Sequence, residues 1–457
     1  MTNSELAVRY SPHRRQEACG VIGVWAPGPQ IADLCYLGLF SLQHRGQESA
    51  GIAITDGLHI EEVKGMGLMT EAFRERRPTM AGHAAIGHVR YSTQGASAYC
   101  NIQPLFAYAK NGFLSLAHNG TITNFDYLRA SLEREGGIFR TTSDSEAILN
   151  LLAMSNGSGL EEHIVKVLNR VEGAYSLILM TSDRLIGVRD PQGYRPLCVG
   201  QIKPGQYVLA SESCALDAVK ATLIRDINPG EMAIVSHEGL SFRRFSQATR
   251  HSSCVFEYIY FARPDSVLDG QSVWGTRFRL GQQLAKEFDQ SADIVIPVPD
   301  TGITAALGFS QASGLPYLEG LIKNRYVGRS FIMPQQISRE STVEMKLNPV
   351  RANLEGQRVV LIDDSIVRGT TSARIVSMVR RAGAKEVRMC VSSPPITQPC
   401  YYGIDTSIRR ELIAAIKTVP QIKESLGVDS LHYLSKQGLL DQINDPENRR
   451  SCLACFD

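Results

Sequence analysis

Several things are missing from this 457-residue chain. No apolar run approaches the roughly 18 residues that a membrane-spanning helix needs, so no spanning helix and no membrane partner are expected. Residues 1–18 carry Arg9, Arg14 and Arg15 but no apolar stretch, so no secretory signal is expected there. Charge of one sign is not in surplus: 48 Lys plus Arg stand against 46 Asp plus Glu, a formal +2. That balance argues against a surface built mainly for nucleic acid. Internal repeats, low-complexity tracts and a clear interdomain linker are also lacking. With no export signal the expected location is the cytoplasm, a reducing compartment. Ten cysteines there favour metal binding, catalysis or plain burial over disulfides.

What is present suffices for a large core. Hydrophobic residues make up 43% and charged residues 21%, and the length allows about three domains. The first half reads as short β segments punctuated by glycine, at 20–25, 50–55, 84–89, 114–117, 175–181 and 185–189. Helical patterns intervene at 33–43, 124–135, 143–154 and 160–171. Such runs predict an α+β sandwich with sheets packed face to face. Near residue 270 the pattern changes to strand–loop–helix units. Strands are predicted at 292–298, 358–362 and 386–391, and helices at 303–313 and 372–382. That alternation predicts an α/β domain with a parallel, doubly wound sheet. The join falls within 245–275. Residues 328–349 read as a long loop, a length that usually carries function.

Cys19 stands where a charged leader gives way to the apolar run Gly20–Val24. A cysteine there suits a nucleophile exposed by peptide cleavage, its freed α-amine serving as base. The plain alternative is a small buried hydrophobe. Three other motifs stand in the same half. Arg90, in His88-Val89-Arg90-Tyr91, offers a guanidinium fork for a carboxylate, or a surface ion pair. Asn119-Gly120 offers an amide and a backbone N–H for an oxyanion, or a β-turn. Asp144 offers a carboxylate for an ammonium, while Ser143 and Glu146 also spell a capping box.

In the second half the run Val359–Ile362 ends in Asp363-Asp364-Ser365-Ile366-Val367-Arg368-Gly369-Thr370-Thr371. Backbone N–H groups at the following helix start, with the Thr370 and Thr371 hydroxyls, can wrap a phosphate. The paired aspartates can hold ribose hydroxyls or a hydrated Mg²⁺. Pro299-Asp300-Thr301-Gly302 closes another predicted strand. Lys323, Arg325 and Arg329 supply positive charge ahead of the long loop. The chain ends in Cys452-Leu453-Ala454-Cys455, a C-x-x-C consistent with zinc, redox chemistry or chance.

Taken together, Cys19, Arg90, Asn119-Gly120, Asp144 and the segment Gln43–Gly51 resemble the class II glutamine amidotransferases. The resemblance covers roughly 19–250 and implies an Ntn-hydrolase-like αββα sandwich. It implies Cys19 as nucleophile once a propeptide, 1–18, is removed, and Asn119 and Gly120 as the oxyanion hole. Arg90 and Asp144 would grip the α-carboxylate and α-amine of glutamine. The segment Asp363–Thr371 resembles the phosphoribosyl-pyrophosphate loop of type I phosphoribosyltransferases. It implies Asp363, Asp364, Ser365, Arg368, Gly369, Thr370 and Thr371 as substrate contacts. Thr301 stands where relatives often carry serine, and with Asp363 and Asp364 it is the implied Mg²⁺ contact, one ion per chain.

The two resemblances together match the amidophosphoribosyltransferase family, with domains expected at 19–255 and 256–457. The implied reaction makes 5-phosphoribosylamine, glutamate and pyrophosphate from glutamine, phosphoribosyl pyrophosphate and water, the first committed step of purine synthesis. Within the family's iron–sulfur subclass, Cys254, Cys400, Cys452 and Cys455 would bind one [4Fe–4S] cluster per chain, structural zinc being the rival. Membership further implies AMP- and GMP-type inhibitors, a homotetramer, and closure of 328–349 over the substrate. Two rival readings remain. One is another class II amidotransferase with a different acceptor domain. The other is a phosphoribosyl-pyrophosphate-sensing regulator that binds DNA, which would need a basic recognition element not visible here.

Overall fold

The computed structural model describes residues 19–91, 98–109, 112–154, 159–246, 251–324, 347–404, 408–445 and 450–457. The leader 1–18, Arg325, Arg329 and loop residues 328–346 lie outside the described residues. The chain forms two compact units. The first runs through Ser253 and takes in Val267–Gly270 and Cys400–Ser407; the second holds Cys254–Ser266, Gln271–Pro399 and Ile408–Asp457.

The first unit is a four-layer αββα sandwich. Its strands are β1 (Gly20–Gly28), β2 (Ser49–Thr55), β3 (Ile60–Met66), β4 (Gly82–Arg90), β5 (Leu105–Ala109), β6 (Gly112–Ile122), β7 (Gly173–Met180), β8 (Leu185–Arg189), β9 (Cys198–Lys203), β10 (Gln206–Ala210), β11 (Thr222–Asp226), β12 (Glu231–Ser236) and β13 (Gly239–Arg244). One sheet has the order β11-β9-β10-β1-β4-β2-β3, the other β13-β12-β8-β7-β6-β5. Its principal helices are α1 (Ile31–Ser41), α2 (Phe125–Arg134), α3 (Ser145–Ala153), α4 (Leu160–Leu168) and α5 (Ser213–Ala218).

The strands read as continuous apolar runs because both of their faces are covered. In β1, Val21 and Trp25 point between the sheets, where Ala84, Ile86, Ile178 and Leu185 meet them. Ile22, Val24 and Ala26 point the other way, onto α1 residues Ile31, Cys35 and Leu39. The second sheet splits likewise: Leu177 and Leu179 pack under α2–α4, while Ile178 and Met180 face the first sheet. Period-two alternation therefore sorts residues between two apolar layers, not between core and water.

The second unit carries a four-stranded parallel sheet, β14 (Ile294–Pro297), β15 (Arg358–Asp363), β16 (Glu386–Val391) and β17 (Ser430–Tyr433), in that spatial order. Its principal helices are α6 (Val273–Glu287), α7 (Ile303–Ser313), α8 (Thr370–Arg381) and α9 (Val419–Leu426). Val359, Val360, Leu361 and Ile362 have no exposure at all, so β15 is central and fully apolar. On α8 the residues Ile375, Val376, Met378 and Val379 face the sheet, a helical stripe. In open α/β sheets ligands collect at the carboxyl ends of strands, and β15 ends in Asp363.

The predicted strand at 114–117 extends in fact over eleven residues, Gly112–Ile122. Its extension is polar, which hid it: His118 and Asn119 are fully buried and find partners inside the fold. Helix α8 begins at Thr370, two residues before its predicted start, because Gly369 takes a left-handed conformation (φ +78°) and turns the chain into it.

Candidate active sites

In the first unit β1 is a central strand, and Cys19 immediately precedes it. Gly20 pairs with Val89, so Cys19 and Arg90 stand one step beyond a registered pair on neighbouring strands. Cys19 is fully buried and Arg90 nearly so. Cys19 N–H donates to Asn119 Oδ1 at 3.2 Å. The Asn119 Nδ2 atom is buried and has no hydrogen-bond partner among the described residues. A buried amide donor without an acceptor is costly, and binding sites are where such groups persist. Asn119-Gly120 lies inside β6, paired with Ser176 and Tyr175 of β7, and is not a turn. Gly120 has φ +142°, and a Cβ there would sit 2.0 Å from the Ala174 carbonyl oxygen.

Asp144 stands at the position before α3, makes no side-chain capping bond to it, and is buried. Its Oδ2 accepts the Ile122 N–H at 2.8 Å, tying it to β6 two residues beyond Gly120. The capping box spelled by Ser143 and Glu146 does not form. Glu146 instead accepts the N–H groups of Arg140 and Thr141, bracing the loop ahead of Asp144. The structure thus brings Cys19, Asn119 and Gly120 together directly and ties Asp144 to the same strand.

The sequence reading missed the polar frame behind this site. His118 N–H donates to Gln103 Oε1 at 2.7 Å, and Gln103 Nε2 donates to Ser145 Oγ at 3.0 Å. Ser145 Oγ also lies 2.9 Å from His118 Nδ1. His88 is fully buried, with Nε2 3.1 Å from the His118 carbonyl oxygen. Burial, with the Arg90 charge adding to it, pushes the His88 pKa down to about 3. Buried Arg45 pairs with buried Glu212, which also meets His44 Nε2 at 2.7 Å. That network holds the Gln43–Gly51 segment. Polar residues inside apolar strands were the available signal.

In the second unit Asp363 closes β15 and Asp364 follows it, both buried. Burial pushes both pKa values up, and for Asp363 the neighbouring Asp364 charge adds to it. Two desolvated carboxylates side by side invite a cation. Thr301 Oγ1 and Ser365 Oγ both donate to Asp364, the latter at 2.5 Å. Buried Arg277, which the sequence reading missed, favours the charged form of Asp364. Its guanidinium is held by the carbonyls of Tyr258 at 2.7 Å and Ala262 at 2.8 Å. Lys323 Nζ donates to Asp300 Oδ2 at 2.5 Å. Beyond the aspartates, Arg368 and Gly369 lead into the first turn of α8, where Thr370 and Thr371 are exposed. The donor set of two carboxylates and a hydroxyl fits Mg²⁺, a hard cation that takes oxygen ligands.

The ten cysteines, all among the described residues, form no disulfide. Cys254 and Cys452 lie in the paired two-residue strands Ser253–Cys254 and Ser451–Cys452. The Cys455 carbonyl accepts the N–H groups of Thr397 and Gln398. Cys400 is grouped with the first unit, and its sulfur accepts the Tyr402 N–H at 3.3 Å. Four thiols are chemically right for an iron–sulfur cluster. However, among the described residues no group of three or more His, Cys, Asp or Glu is arranged to hold a metal ion.

Comparison with known proteins gives a match in each half of the chain. A glutamine amidotransferase domain family matches residues 88–218, and a phosphoribosyl transferase domain family matches 276–405. The amidophosphoribosyltransferase of Archaeoglobus fulgidus is 52% identical over 445 residues, 96% of each chain. That of Bacillus subtilis is 50% identical over 447 residues, 96% of this chain and 93% of its own. The solved B. subtilis glutamine phosphoribosylpyrophosphate amidotransferase, complexed with ADP and GMP, superposes with a TM-score of 0.90 at 49% identity, covering 96% of each chain. A second structure, described as the allosteric regulatory enzyme of purine biosynthesis, gives a TM-score of 0.91 at 49% identity, covering 96% of this chain and 95% of its own.

Fold and sites define a glutamine amidotransferase joined to a phosphoribosyltransferase. The chain belongs to the amidophosphoribosyltransferase family. It is a glycosyltransferase with glutamine amidotransferase activity, acting at the first step of purine biosynthesis. The phosphoribosyl transferase match over 276–405 displaces another acceptor domain, and the near-full-length amidophosphoribosyltransferase relatives displace a DNA-binding regulator.

Proposed function

We propose the following division of labour among the residues. Cys19, freed by removal of 1–18, attacks the side-chain carboxamide carbon of glutamine. Its α-amine, a group whose ordinary pKa is near 8, takes the thiol proton and delivers it to the leaving nitrogen. Asn119 Nδ2 and the Gly120 N–H hold the oxyanion, each such donor contributing on the order of 3 kcal/mol in comparable sites. Arg90 and Asp144 grip the α-carboxylate and α-amine of glutamine. Collapse of the tetrahedral intermediate expels ammonia and leaves a thioester, which water hydrolyses to glutamate.

In the residues' second task, Thr370 and Thr371, with the N–H groups of the loop 368–371, hold the 5′-phosphate. Ser365 and Arg368 complete that cradle, and Asp363 and Asp364 take the ribose side. Ammonia attacks C1 of the sugar and pyrophosphate leaves. Mg²⁺, held by Thr301, Asp363 and Asp364, would neutralise the diphosphate when bound. The amidotransferase task falls to 19–255 and the transferase task to 256–457. We further read the chain as a cytoplasmic homotetramer inhibited by AMP- and GMP-type nucleotides, with Cys254, Cys400, Cys452 and Cys455 holding one [4Fe–4S] cluster. The nucleotides bound to the solved B. subtilis relative support the inhibitor reading.

The observation that carries the amide-cleaving assignment is the Asn119 side chain. Its oxygen is engaged by Cys19 N–H, and its nitrogen is buried with no acceptor among the described residues. Cys19→Ala tests it. Synthesis from glutamine should vanish while synthesis from ammonia persists. Loss of both activities in a folded protein would sink the assignment of two separate reactions to two sites.

A further inference from the structure

The segment Ile408–Ile416 carries no recognised motif, yet it meets the phosphate loop at three points. The Ile413 N–H donates to the Val367 carbonyl at 2.9 Å. The Ile413 side chain lies against Gly369, its Cδ1 2.6 Å from where a Cβ would stand. Glu411 pairs with the Arg368 guanidinium. Two of these contacts hold backbone and one holds a side chain.

The backbone contacts have a directional effect. A trans peptide is planar, with its C=O and N–H on opposite edges. Fixing the Val367 carbonyl toward Ile413 therefore aims the Arg368 N–H the other way, away from that segment. Ile413 also fills the space beside Gly369 where this left-handed residue lacks a side chain. The next residues, Thr370 and Thr371, open α8 with exposed side chains. Three successive positions of the loop are thus set from one side, leaving their other side for a ligand. Glu411 adds a charge effect. It neutralises Arg368, whose side chain is 56% exposed and would otherwise sample many rotamers.

We propose that Ile408–Ile416 is a strut that pre-organises the loop for the 5′-phosphate, with Ile413 and Glu411 as positioning residues. This rests on the reading of 363–371 as the phosphoribosyl pyrophosphate site. Neither residue touches the reacting atoms. Their contribution is the ordering cost that the loop no longer meets on binding, which appears in substrate affinity and not in the chemical step.

The test measures phosphoribosyl pyrophosphate kinetics with ammonia as nitrogen donor, so that glutamine chemistry plays no part. Glu411→Gln should raise KM about threefold, the scale of an exposed ion pair. Ile413→Ala should raise it about tenfold, with kcat changed less than about twofold in both. On an Arg368→Gln background, Glu411→Gln should add nothing further. Asp429→Asn, which removes the Arg380–Asp429 pair elsewhere in this unit, should leave KM alone. If Ile413→Ala does not fold, Ile413→Val gives a smaller shift of the same sign. Unchanged KM in folded variants, additive effects, or equal losses in kcat and kcat/KM would overturn the strut. Failure of the site reading looks different: Asp364→Asn and Thr371→Val would then leave KM unchanged as well.

Discussion

Asn119 accepts the backbone N–H of Cys19 at 3.2 Å, across 100 positions of chain. One side-chain amide therefore locates the start of β1 and, through its other end, presents a donor beside it. If that donor stabilises the oxyanion, its loss should appear in kcat. Asn119→Ala should lower glutamine hydrolysis by about 10²–10³-fold, with ammonia-dependent synthesis retained. Steady-state rates with both nitrogen donors decide this.

The nucleophile assignment requires a new chain start. Intact-mass measurement and N-terminal sequencing of native protein purified without air should give a first residue of Cys19. Iron and sulfide assays on the same sample should find about four irons per chain. Zinc in place of iron would move the cysteine set to the rival site. A full-length chain hydrolysing glutamine at full rate would remove the α-amine as base.

Metal dependence should divide the two reactions. Chelation should abolish synthesis from glutamine and from ammonia alike, and added Mg²⁺ should restore both. Asp364→Asn should mimic chelation without rescue by metal. Hydrolysis of glutamine by itself should lose far less in either case, because the residues assigned to it belong to the first unit and the paired aspartates to the second.

A buried carboxylate, Asp190, and a half-buried one, Asp226, in the first unit predict an unusual pH dependence. Desolvation pushes Asp190 and Asp226 up to about 6, with the Asp269 charge adding to it for Asp226, against the pull of Arg189. An unfolded aspartate titrates near 4, so between about 4 and 6 the folded protein holds protons that the unfolded chain has released. Their contribution is full below pH 4 and is lost as pH rises through 6. Asp226→Asn should therefore stabilise the protein at pH 8, on the order of 2 kcal/mol, and change little at pH 4. Thermal melts at the two pH values measure the difference, and equal shifts at both would refute it.

Much of this architecture was legible in the residues. Helix α7 and strands β8 and β16 fall where their patterns put them, because their apolar runs are bounded by polar or glycine punctuation. The face-to-face sheets and the parallel sheet follow from the same patterns, whereas the αββα layering was implied by the family resemblance. The polar extension of β6 was not legible. His118 and Asn119 break the apolar run, and only long-range partners such as Gln103, Ser145 and Cys19 make their burial tolerable. The same limit hid Arg277 and Glu411. A charged residue on a surface helix and one held under a substrate loop look alike in sequence, since their partners lie tens of residues away.

Gly120 leaves natural variation nothing to work with. Its backbone angle and the Ala174 oxygen 2.0 Å from any added carbon leave room for hydrogen and nothing larger. A saturation library at position 120 should return a single viable codon family. Adjustment of amide-cleaving power by selection would then have to run through the neighbouring asparagine or the frame behind it.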